Sequence, residues 1–109
     1  MSKWKDPIHP GEILGEELEF IGMNASELAE RIGVHKNRLY QIVSCKRSIT
    51  ADTAMRLAKF FGTTPKFWLN LQNSYELDLL SQEIDDSLQD ITPYTPPSES
   101  MQPSLSMSG

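Results

Sequence analysis

The sequence predicts an all-α fold: a compact five-helix bundle followed by a disordered C-terminal tail. Three observations carry this. Apolar residues recur at helical spacing, and no segment alternates as a half-buried strand would. The candidate helices open on capping residues or proline and mostly close on glycine. From Ile84 the composition changes, with six serines and four prolines over residues 84–109 and no helical repeat, the signature of disorder. A chain of 109 residues suits one domain with one modest core. The expected division is a folded domain over residues 1–83 and an acidic Ser/Pro-rich tail over 84–109.

The first helix runs from Pro10 to Ile21. Pro10 suits the first turn and Glu12 the positive end of the dipole. Leu14, Leu18 and Ile21 define a buried stripe, and Gly22 supplies the left-handed stop. The second helix is capped by Asn24, with Glu27 completing a capping box, and ends at Gly33. Leu28, Ala29 and Ile32 face inward. The third runs from Lys36 to Ser44, with Leu39, Ile42 and Val43 inside. The fourth is capped by Thr50 and runs to Phe61, burying Ala54, Leu57, Ala58 and Phe61 before Gly62. The fifth opens at Thr64-Pro65 and carries Phe67, Trp68, Leu71, Tyr75, Leu79 and Leu80. These residues cover more than one face, more than a single core contact requires. The surplus is a candidate dimer surface.

The second and third helices form a helix-turn-helix spanning about Ala25 to Ile42. The spacing Ala-x3-Gly-x5-Leu-x2-Ile (Ala29, Gly33, Leu39, Ile42) places a small residue at the close helix approach and glycine at the tight turn. With Leu39, Ile42 and Val43 inward, Asn37 and Gln41 point outward. Tyr40 and Arg38 flank them, and Lys36 stands at the N-terminal end. Asn and Gln pair with adenine N6 and N7, Arg and Lys with guanine O6 and N7. This face carries no acid, whereas a merely solvated helix commonly sets Glu beside Lys. Lys36, Asn37, Arg38, Tyr40 and Gln41 are therefore the candidate base-reading residues. Phosphate contacts are expected from the start of the second helix, at Asn24 and Ser26, and from Lys46 and Arg47 after the third.

Charge supports the same reading. The net charge of −5 argues against nucleic acid, but residues 31–66 hold eight bases and the single acid Asp52. The flanks, residues 1–30 and 67–109, net −5 and −7. A basic middle between acidic flanks is what a local phosphate-binding surface needs.

Other chemistries find little footing. There is no apolar run long enough for a membrane span and no signal-peptide core, so a cytoplasmic location is expected. The single cysteine, Cys45, fits a reducing compartment. Its neighbours Lys46 and Arg47 would lower its pKa, yet an incidental loop thiol is the simpler reading. His9 and His35 are 26 residues apart, and no metal ligands share helical spacing. There is no Gly-rich phosphate loop. No enzyme, cofactor or metal site is expected.

Residues 8–83 resemble the HigA (VapI) antitoxins, a branch of the phage-repressor-like (lambda-repressor-like) helix-turn-helix proteins. The matching stretches are His9-Pro10-Gly11-Glu12-Ile13-Leu14, Leu28-Ala29 with Ile32-Gly33-Val34, and Ile49-Thr50 with Ala54-Met55-Arg56-Leu57-Ala58. The most diagnostic is Gly62-Thr63-Thr64-Pro65-Lys66-Phe67-Trp68-Leu69-Asn70-Leu71-Gln72. The resemblance implies a five-helix domain, a homodimer, and binding to double-stranded DNA at an inverted-repeat operator in its own promoter. It also implies a partner toxin, usually a HigB-type RNase, neutralised by direct contact. Some members act only as regulators without a toxin, which is the alternative reading. Two departures stand out. His35 replaces the usual Ser or Thr cap of the third helix. Ser44-Cys45-Lys46 lacks the positive-φ glycine that usually follows it, which implies an altered turn before Lys46 and Arg47.

A ribosome-targeting RNase must approach RNA and tends to be basic. Two acidic surfaces face such a partner: the first helix, with Glu12, Glu16, Glu17 and Glu19, and the segment from Glu76 to Asp90. The first helix is favoured, because the fifth is the candidate dimer surface. Docking there leaves the third helix free for DNA.

Overall fold

The structure, a computed structural model, describes residues 6–97. Its elements are α1 (Pro10–Ile21), α2 (Ala25–Ile32), α3 (Lys36–Val43), α4 (Ala51–Phe61), α5 (Pro65–Ser81) and α6 (Asp85–Gln89), with no strand among the described residues. α2 packs on α3 and α4 on α5, while α1 crosses α3 and α5. The core they enclose centres on Leu14, Leu28, Leu39, Ile42, Ala54 and Leu57, with Trp68 closing one end. Each fully buried leucine contributes about 1.5–3 kcal/mol. Trp68 donates its indole N–H to Thr63 Oγ1 at 2.9 Å, so its polar atom is satisfied where the ring is buried.

One expectation needs correction, and two gain detail. Ile21 does not extend the buried stripe of α1; it is 41% exposed at the last residue of the helix, before the Gly22 stop. α5 buries only Trp68 and Gln72 fully, and Leu77, Leu79 and Leu80 lie open. The tail after Ile84 opens on one short exposed helix, α6. Asp85 and Asp86 sit in the first turn of α6, where the helix dipole favours acids, and the Leu88 N–H reaches the Ile84 carbonyl at 2.9 Å. No residue of α6 is buried, so the bundle proper is still the five expected helices. Residues 98–109, the rest of the expected tail, lie outside the described residues.

The turn after α3 keeps the usual form without the usual residue. α1, α2 and α4 end on Gly22, Gly33 and Gly62 at φ 72°, 77° and 76°. In each case the next N–H bonds back five residues, as Met23 to Leu18, Val34 to Ala29 and Thr63 to Ala58. α3 ends identically: Cys45 takes φ 66°, and the Lys46 N–H reaches the Gln41 carbonyl at 2.7 Å. This is a Schellman closure with cysteine in the left-handed position. The expected alteration of the turn therefore does not occur; backbone strain takes its place. Cys45→Gly is expected to raise stability by about 0.5–1 kcal/mol, strain relief exceeding the added entropy of the unfolded chain. Thermal denaturation of the two proteins checks this.

α1 is fixed from both sides. His9 caps it, Nδ1 accepting the Gly11 N–H at 2.8 Å, and the ring meets Tyr75 of α5 edge-on at 4.8 Å. The acceptor role requires a neutral imidazole, and burial lowers the His9 pKa against the opposing pull of Glu12. Gly11 itself lies against α3: a Cβ built there falls inside the Ile42 carbonyl. Here glycine is required by the close approach of two backbones, not by its own φ.

Candidate nucleic-acid interface

α3 sits on the surface of the bundle with Leu39 and Ile42 anchored inside. His35 caps it, Nδ1 accepting the Asn37 N–H at 3.1 Å, so the first departure from the family pattern keeps the capping function. Lys36, Asn37, Tyr40 and Gln41 are exposed together on the outer face, as the helical spacing predicts. There is no acid in the first turn.

Arg38 departs from the expected arrangement. Its Nη1 donates to Asp52 Oδ2 at 2.7 Å and lies 3.3 Å from Thr53 Oγ1. The guanidinium is thus turned toward α4, away from Asn37 and Gln41. Asp52 also accepts from Arg56 Nε at 3.1 Å, and Arg56 Nη1 donates to the Ile32 carbonyl at 2.8 Å. One carboxylate therefore ties the start of α3 to α4, and Arg56 carries the tie on to the C-terminus of α2. Hydrogen bonds from Arg38 and Arg56 hold the Asp52 carboxyl below the usual carboxylate range. These two arginines share one carboxylate, which answers half of their combined charge. Among the described residues, Lys36, Lys46 and Arg47 form no ion pair.

At the start of α2, Asn24 Oδ1 accepts the Glu27 N–H and Glu27 Oε1 accepts the Asn24 N–H, at 2.8 and 2.9 Å. This is the expected capping box, and it occupies the Asn24 backbone amide. The helix still presents the amides of Ala25 and Ser26, which have no intrahelical acceptor. The loop with Lys46 and Arg47 is pinned from below. Gln72 on α5 is buried, accepts the Ile49 N–H at 2.8 Å, and donates to Ser48 Oγ at 3.3 Å and Glu76 Oε2 at 2.9 Å. Sequence reasoning missed Asp52, Arg56 and Gln72 as positioning residues. For Asp52 the signal was present, as the only acid among eight bases in residues 31–66.

The thiol of Cys45 runs against the expectation drawn from its basic neighbours. Burial and the nearby Glu12 carboxylate push its pKa up, not down.

A helix-turn-helix family profile matches residues 21–68, which take in α2, α3 and α4. Virulence-associated protein I of Dichelobacter nodosus is 47% identical over 77 residues, covering 70% of this chain and 71% of that protein. The solved addiction module antidote protein of the HigA family from Coxiella burnetii is 51% identical and superposes with a TM-score of 0.80, covering 83% of this chain and all of that one. The chain belongs to the HigA/VapI family. Its members are helix-turn-helix antitoxins and regulators, not enzymes. A second HigA structure, the Pseudomonas aeruginosa antitoxin with the higBA promoter, matches this HigA/VapI chain at TM-score 0.77 and 36% identity, over 82% of this chain and 99% of that one. No helix among the described residues is long and apolar enough to cross a membrane.

Proposed function

We propose that this chain is a dimeric operator-binding antitoxin, repressing its own promoter through α3 and neutralising a HigB-like RNase. One observation carries the DNA reading: an acid-free exposed face of α3, bearing Lys36, Asn37, Tyr40 and Gln41, in a chain whose family includes a HigA solved with its promoter. In this reading Gln41 and Asn37 pair with adenines, and Lys36 with guanine or a phosphate. Asn24 contributes its side-chain amide, and Ser26, Lys46 and Arg47 hold the backbone. Arg38 acts as a positioning residue through Asp52.

The exposed apolar end of α5 supports dimerisation, with Leu77, Leu79 and Leu80 at 68%, 38% and 50% exposure. A twofold pair would set two α3 helices about 34 Å apart, one turn of duplex. Toxin neutralisation rests on family membership and on the acidic flanks; a complex with the small basic product of the adjacent reading frame supports it, and absence of any complex favours a stand-alone regulator.

Gln41→Ala is expected to weaken operator binding by about 1–3 kcal/mol and to relax preference at one base position. Fluorescence anisotropy against the promoter and single-base variants measures both. Unchanged affinity and unchanged preference would remove α3 from the base-reading role.

A further inference from the structure

Gly15 stands in the middle of α1, where glycine is less favourable than alanine. No contact among the described residues requires it. Its φ is not positive, and a Cβ built there meets only the Val43 side chain at an ordinary 3.5 Å. Gly11, four residues earlier, has the opposite environment. Gly15 opens onto a groove of about 470 Å³ between α1, the start of α2, and α3. The floor is apolar, with Leu18, Met23 and Val43. Glu12, Glu16 and Glu19 line the rim, and among the described residues none of them is in an ion pair. The wall on the helix-turn-helix side is Tyr40 and Asn24.

An apolar floor under three unanswered carboxylates fits a segment with one or two apolar side chains flanked by Lys or Arg. The missing Cβ at Gly15 lets the backbone of such a segment lie close to α1. The same carboxylates repel a phosphate backbone. We infer that this groove docks a cationic amphipathic segment of the basic RNase partner, seated over Gly15, and that its occupation competes with operator DNA. The inference rests on the antitoxin reading above. Competition follows from the shared wall: an occupant against Tyr40 and Asn24 covers one base-reading side chain and one phosphate anchor. Docking on α1 then does not leave α3 free for DNA, as the charge pattern of the sequence implied. The antagonism is reciprocal, since each ligand weakens the other by the same factor.

The test uses the full chain with a catalytically inactive form of the small basic protein from the adjacent reading frame. Calorimetry gives partner affinity, and anisotropy of a fluorescein-labelled promoter duplex gives operator affinity. Saturating partner is expected to weaken operator binding at least tenfold. Gly15→Leu, which fills the groove, is expected to weaken partner binding at least tenfold with operator affinity within twofold of wild type. Glu16→Lys combined with Glu19→Lys is expected to do the same to partner binding without adding bulk at Gly15. If both variants bind partner within twofold of wild type, the groove assignment is wrong while the antitoxin reading stands. If wild type forms no complex, both fall. If a ternary complex forms with undiminished operator affinity, the competition is wrong. If sedimentation shows that the variants change self-association instead, the groove belongs to a second copy of this chain, which also overturns the inference.

Discussion

Gly11→Ala is expected to destabilise the fold by about 3 kcal/mol, near the upper end for overpacking because the added carbon meets backbone, not a side chain that can turn away. The Cβ falls inside the Ile42 carbonyl, so α1 and α3 must separate. Alanine's better helix propensity, worth up to about 1 kcal/mol, offsets only part of this. In a domain of this size a loss of about 3 kcal/mol corresponds to a fall in Tm of roughly 12–24 °C. Operator affinity is expected to fall as well, because Ile42 is one of the two anchors that set the orientation of α3. Gly15→Ala on the same helix is the control, with only an ordinary 3.5 Å contact to the Val43 side chain at its Cβ and no loss of stability expected. Melting curves of the three proteins read the difference directly. Equal Tm values for the two alanine variants would contradict the close packing of α1 on α3.

Operator binding is expected to depend steeply on salt despite the acidic net charge. Lys36, Lys46 and Arg47 are the cations of the proposed face left without ion pairs, and the amides at the start of α2 add to them. If each subunit neutralises about three to four phosphates, a dimer should show a slope of log affinity against log salt of about −6. Between 50 and 200 mM salt that slope is a loss of roughly 4,000-fold. Lys46→Ala removes about one contact per subunit, so the slope should fall in magnitude by about 2 while base preference stays the same. Anisotropy titrations across salt concentrations measure both quantities. A slope near zero would contradict a phosphate-binding role for the basic segment.

Much of this was legible in the sequence because it is local. Asn24 with Glu27, Thr50, Thr64-Pro65 and the three stop glycines act within one helical turn, and each sits where caps and breakers place it. The outer face of α3 followed from Leu39 and Ile42 being inside. What the sequence did not reveal depends on meetings between distant segments. Arg38 looks like its neighbours Asn37 and Gln41 until α4 brings Asp52 within 2.7 Å. Gln72 reads as one more polar residue of a motif until Ile49 presents an N–H to it across the core. The contrast between Gly11 and Gly15 is invisible without knowing which face of α1 meets Ile42. At Cys45 the incidental-thiol reading stands, while the altered turn and the pull of its basic neighbours do not. The turn proved able to hold a left-handed cysteine, and burial and Glu12, not the basic neighbours, set the direction of its pKa. The short α6 was missed because its propensity is weak and it has no apolar repeat to bury.

The central claim is that α3 reads duplex DNA from the major groove in a symmetric pair. Dimethyl sulfate protection on the promoter tests it most directly, because the reagent reports guanine N7 in the major groove and adenine N3 in the minor groove. The account predicts two clusters of protected guanine N7 about 10 bp apart, both weakened in the Gln41→Ala protein. Protection confined to adenine N3, or N7 protection that Gln41→Ala leaves intact at both half-sites, would contradict it.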